Sequence, residues 1–160
     1  MKLPLVRFVF AAALALALQH TGFAADTPTP AAAPDKLSQA RSLIKDKKWA
    51  EAIDELKRVN DPASADWNNL MGYSLRRAKT PDLEGAERYY NEALRINPNH
   101  RGALEYSGVL YLIKGDLDTA EKRLAVLDKS CTFGCEEYTD LKKAIERYKA
   151  AGNKYVAAQQ

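Results

Sequence analysis

The sequence predicts an all-α fold, and three observations carry that prediction. Ala52, Ala86 and Ala120 recur at a constant spacing of about 34 residues. Each is followed four residues later by a bulky apolar side chain, Leu56, Tyr90 or Leu124, and three further on come Val59, Ala93 and Leu127. A fixed period of this length is that of one helix-turn-helix unit, which cannot bury its apolar face alone and stacks on copies of itself. The expected architecture is a short helical solenoid of three hairpins that acts by presenting a surface.

Residues 1–24 stand apart from that pattern. Lys2 and Arg7 give a basic start, Phe8–Leu18 is an unbroken apolar run, and Gly22-Phe23-Ala24 supplies small residues at the spacing a signal peptidase reads. This segment is therefore expected to be an export signal cleaved before Ala25, with the mature chain periplasmic or secreted; the alanine-rich signal points to a Gram-negative bacterium. The run stops at Gln19-His20, short of the roughly 20 apolar residues a membrane span needs, so no stable insertion is expected after cleavage. No cysteine near Ala25 offers a lipid anchor. Residues 25–34 contain only Ala, Asp, Thr and Pro and read as a disordered spacer.

Removing Lys2 and Arg7 takes 24 basic residues to 22 against 21 acidic ones, a net charge of +1, which gives nucleic-acid binding no support at the level of the whole domain. The chain that remains is long enough for one domain with a modest core.

The helical domain is expected over residues 35–151, with repeats at about 33–64, 65–100 and 101–134 and a closing helix at about 135–151. In the first hairpin Leu37, Ala40, Leu43 and Ile44 recur at helical spacing, Asp46-Lys47-Lys48 interrupts them, and Trp49, Ala52, Ile53, Leu56 and Val59 resume up to Asn60-Asp61-Pro62. The second opens at Ser64, an expected N-cap, and carries Trp67, Leu70, Met71, Ser74, Leu75 and Ala78. Its turn, Lys79-Thr80-Pro81-Asp82, leads to Leu83, Ala86, Tyr90, Ala93, Leu94 and Ile96, which stop at Asn97-Pro98-Asn99. The third pairs Leu104, Gly108, Tyr111 and Leu112 with Leu117, Ala120, Leu124 and Leu127 across Lys114-Gly115-Asp116. Tyr138, Leu141, Ala144, Ile145 and Tyr148 then mark one face of an amphipathic helix, suited to cover the open flank of the last hairpin. Residues 152–160 read as a flexible tail.

These residues resemble the tetratricopeptide repeat family, with Gly108, Tyr111, Ala120 and Leu124 in the third unit, Gly72, Leu75, Ala86, Tyr90, Ala93 and Pro98 in the second, and Ala40, Leu43, Ala52 and Leu56 in the first. The resemblance implies a right-handed α-solenoid in which the first helix of each unit lines a concave side. It says little of function, because the motif residues are packing residues. The stretch from Gly72 to Ala86 is longer by two than that from Gly108 to Ala120, so the second unit's turn carries two extra residues, expected in an exposed loop. The family's carboxylate clamp is not matched: Leu37 and Arg41 stand at its first-helix places and Gly102 and Tyr106 at its fifth-helix places, although Asn69 lies close to the third-helix asparagine.

By the same implication the groove residues are Arg41 and Lys45 of the first unit, Asn69, Tyr73, Arg76 and Arg77 of the second, and Glu105, Val109 and Ile113 of the third. Arginine and asparagine grip carboxylates or peptide backbone, and tyrosine supplies rigid contact area, so the expected partner is a protein or peptide segment. The competing reading leaves Arg76 and Arg77 as solvated surface charges.

Cys131 and Cys135, the two cysteines of the chain, flank Gly134, whose turn lets the side chains face each other; in an oxidising compartment a disulfide is expected. The alternatives are a redox-active pair, with Cys135 at a helix start, and a self-associating envelope component. No metal site is expected from two thiols and a distant His100, and no phosphate loop, nucleophile elbow or haem-attachment run is present. No cofactor and no enzymatic activity are expected.

Overall fold

A computed structural model describes residues 35–132 and 134–157, all within one structural unit, Pro34–Gln160. The expected export signal and spacer, together with residues 133 and 158–160, lie outside the described residues. Among the described residues all regular structure is α-helix: α1 (Ser38–Lys45), α2 (Trp49–Val59), α3 (Ala65–Arg77), α4 (Leu83–Ile96), α5 (Arg101–Lys114), α6 (Leu117–Ser130) and α7 (Glu136–Ala150).

Local chemistry sets the ends. The Ser64 hydroxyl accepts the Trp67 N–H at 3.2 Å, Asp82 accepts from Gly85 at 2.8 Å, and Asp116 accepts from Thr119 at 2.9 Å, each satisfying an otherwise unpaired helical donor. At α5 the same place is taken by His100, whose Nδ1 accepts the Ala103 N–H at 3.1 Å. Asn60 closes α2 and Gly115 closes α5 in left-handed conformations, φ 47° and 82°. The two extra residues of the second unit fall in the loop after α3, where Lys79–Asp82 are exposed, as expected.

Each helix packs on its successor, and α1, α3, α5 and α7 also approach one another in turn, while among the described residues the even-numbered helices stand further apart and α6 reaches α4 through the Arg123 side chain, which donates to Asn91 Oδ1 at 3.2 Å. The recurring alanines sit at the closest approaches: Ala52, Ala86 and Ala120 are fully buried, as are Leu56, Tyr90 and Leu127. Gly72 lies under Tyr90, where an added Cβ would come within 2.9 Å of the ring. Leu37, Ala40, Leu56, Trp67, Leu70 and Met71 form one apolar cluster across α1–α3, and a larger one runs from Ala86 to Tyr148 across α4–α7. Full burial of a leucine such as Leu110 or Leu127 contributes roughly 2 kcal/mol.

Leu141, Ala144, Ile145 and Tyr148 are the buried face of α7. The segment expected as a flexible tail does not lead away. Gly152 and Asn153 take positive φ (68° and 61°), the Asn153 N–H bonds the Tyr148 carbonyl at 3.0 Å, and the chain turns back along the odd-numbered helices.

Candidate binding groove

Tyr73, Arg76 and Arg77 fall at i, i+3 and i+4 on α3 and so share a face. Glu105, Tyr106 and Val109 of α5 stand beside them, and Asp140, Ala144 and Arg147, at i, i+4 and i+7 on α7, complete the row. With Tyr155 and Ala157 of the returning tail these side chains border a cleft of about 280 Å³.

The floor is aromatic. Tyr73 and Tyr106 pack with ring centroids 4.4 Å apart and planes tilted by 34°, Trp49 meets Tyr73 edge-on at 5.7 Å, and Tyr90 lies 6.5 Å from Tyr106. Cations rim it. The Arg76 guanidinium sits 5.4 Å from the Tyr73 centroid and donates to the Tyr90 hydroxyl at 3.4 Å, and Arg77 lies 5.4 Å from the Trp49 centroid, each a cation–π arrangement. Arg76 is thus half-buried and engaged, not a freely solvated charge.

Burial dominates the electrostatics. It pushes the Tyr90 hydroxyl up to about 12. It also pushes the Glu105 carboxyl up to about 8, helped by repulsion from Asp140 and opposed by Arg76. At neutral pH Glu105 is therefore mostly protonated and can donate a hydrogen bond. Among the lining residues three arginines, Arg76, Arg77 and Arg147, then stand against one charged carboxylate, Asp140, with Glu136 and Glu137 near enough to act on Glu105 as well.

Of the residues expected to line the groove, the fold brings together Tyr73, Arg76, Arg77, Glu105 and Val109. Arg41, Lys45, Asn69 and Ile113 are not among its lining residues. Arg41 is spent elsewhere, paired with Asp35 at 3.5 Å and Asp66 at 2.8 Å, while the other Asp66 oxygen meets His100 Nε2 at 2.8 Å. Because His100 Nδ1 accepts a backbone proton, Nε2 carries the hydrogen and donates to Asp66. Lys45 is exposed at the end of α1. Asn69 is buried, 7% exposed, and among the described residues its Oδ1 has no hydrogen-bond partner. The reason lies one hairpin further on: Gly102 has no side chain, and a Cβ there would stand 3.0 Å from Asn69 Nδ2, so the start of α5 closes over the amide.

Sequence reasoning missed Tyr106, Asp140, Ala144, Arg147 and the tail as lining residues, and Trp49 as the edge-on neighbour of Tyr73 behind them. The spacing of Asp140, Ala144 and Arg147 was available as a signal, since it marks one face of a helix. Nothing local distinguishes Trp49 from a core residue of its own hairpin.

Cys131 at the end of α6 and Cys135 at the N-cap of α7 are joined in a disulfide, their Cα atoms 5.6 Å apart. It ties α6 to the helix that forms one wall of the cleft.

Comparison with protein-family models and with curated proteins found no match. The functional reading accordingly rests on the cleft.

Proposed function

We propose that the chain is an exported protein–protein interaction module: a right-handed α-solenoid of three tetratricopeptide-like hairpins and a closing helix that holds an extended segment of a protein partner in the cleft of α3, α5 and α7. The observation that carries this reading is the closely packed, tilted Tyr73–Tyr106 pair with arginines at its edge, on the row of helices that approach one another in turn. Rigid aromatic area flanked by guanidinium groups suits a peptide that presents apolar side chains and carboxylates. Protonated Glu105 supplies a donor for a backbone carbonyl. The repeat spacing of the buried alanines and the alternating contact pattern support the solenoid. The pattern of residues 1–24 and the disulfide support export to an oxidising compartment. The module binds and does not catalyse.

The test is capture of partners from the native envelope by the tagged mature protein, read by mass spectrometry. Arg77→Glu with Arg147→Glu reverses two charges at the cleft. Capture is expected to fall at least tenfold; the same partners captured in the same amounts would remove the groove assignment.

A further inference from the structure

The returning tail forms part of the border of the cleft. Tyr155 and Ala157, both still solvent-exposed, line it, whereas Val156 between them is not a lining residue and is 51% exposed. Alternate residues facing in and out is the two-residue period of an extended segment, the form in which a peptide lies in a groove and is read at every second side chain. Its placement is built in. The left-handed pair Gly152 and Asn153, with the Asn153 N–H on the Tyr148 carbonyl, reverses the chain at the end of α7 and sends it across the row of odd-numbered helices. Tyr155 comes near enough to Arg76 to interact with its charge.

The segment is also held loosely. Among the described residues none of Lys154–Ala157 makes a hydrogen bond, and Tyr155 is 37% exposed. These four residues stand at the border of the cleft, with Tyr155 within electrostatic reach of Arg76, and a short tether gives them an effective concentration on the order of millimolar.

We propose that Lys154–Ala157 is a resident ligand of this cleft, and that the partner segment is of the same chemistry: an extended stretch with an aromatic side chain and, two positions on, a small one, which enters by displacing the tail. This inference rests on the peptide-groove reading above and adds the form of the partner and a threshold for its entry. A weak external segment fails against the tethered one, and a partner succeeds only when its contacts exceed those of Tyr155 and Ala157.

The probe is a fluorescein-labelled, C-terminally amidated peptide of residues Gly152–Ala157, added in trans to the full mature chain and followed by fluorescence anisotropy. Against a Tyr155→Ala chain, whose tail has lost its anchor, the peptide is expected to bind at least tenfold tighter than against the native chain. A peptide with alanine in place of its tyrosine is expected to bind neither. An Ala157→Asp chain, altered at the other cleft-facing position, is expected to behave like Tyr155→Ala, and circular dichroism melts establish that both variants are folded. Equal binding to native and variant chains, or no binding to either folded variant, overturns the proposal. The two readings separate in the envelope capture: if the peptide result is negative while the Arg77→Glu, Arg147→Glu chain still loses its partners, the tail proposal falls and the groove stands. If that charge reversal leaves capture unchanged, the groove itself falls.

Discussion

Gly108 lies directly against Leu141: a Cβ added at Gly108 would stand 2.6 Å from both terminal methyl carbons of that leucine, which is fully buried. The missing side chain is what allows α7 to close on α5 and form the far wall of the cleft. Alanine at this position gains up to about 1 kcal/mol of helical preference but overpacks a closed site, at a cost of about 1–3 kcal/mol. Gly108→Ala is therefore expected to lower stability by about 1 kcal/mol net. In urea denaturation the Gly108→Ala, Leu141→Ala double variant should lose less than the sum of the two single changes, because the second removes the atoms the first collides with.

Glu105 gives the fold a pH dependence of definite sign. Its carboxyl is raised from 4.5 to about 8 in the folded chain, so between those values the folded state binds more protons than the unfolded one. Stability from this residue therefore falls as pH rises through that window. Glu105→Gln keeps the neutral shape and removes the titration. The native chain is expected to lose roughly 5 °C more in Tm than the variant between about pH 5 and 8.5. Parallel Tm curves for the two chains would assign the titration elsewhere.

Asp66 acts in the opposite direction. Burial alone would raise its carboxyl, but hydrogen bonds from His100 and Arg41 outweigh that and hold it below the ordinary carboxylate value. Its contribution is present above the unfolded value and disappears as pH falls through the folded one. Because the side chain is 53% exposed, the network is weak: Asp66→Asn is expected to cost about 0.5 kcal/mol at low salt and less at 1 M salt. Chemical denaturation at both ionic strengths measures the difference.

The disulfide closes a very short loop, for which chain entropy allows about 2 kcal/mol. Replacing Cys131 and Cys135 together by serine is expected to lower stability by no more than that. The α7 helix stays docked through Leu141, Ala144, Ile145 and Tyr148, all buried. Amide exchange should quicken around residues 131–139 and leave 141–148 protected; loss of protection along all of α7 would show that the bond, not the apolar face, holds the helix.

What the sequence made legible was whatever depends on spacing within one hairpin. Ala52, Ala86 and Ala120 are buried because the apolar period puts them at the closest approaches, and Ser64 caps α3 because its hydroxyl meets a donor three residues on. The groove was legible only where a residue's surroundings come from its own helix, as at Tyr73, Arg76 and Arg77. Asn69 was misplaced because its burial is decided by Gly102 in the next hairpin. Trp49 reaches Tyr73, a residue of the following hairpin, and periodicity carries no information about such a meeting. The return of the tail depends on the handedness of Gly152 and Asn153, which no apolar pattern encodes.

No helix touches another more than two places along the chain, and Leu75 is the side chain that packs against both apolar clusters. The molecule consequently has no keystone. It is strung like a short chain of links, a smaller apolar cluster from Leu37 to Met71 and a larger one from Ala86 to Tyr148 joined through Leu75, so a disturbance at one end reaches the other only link by link.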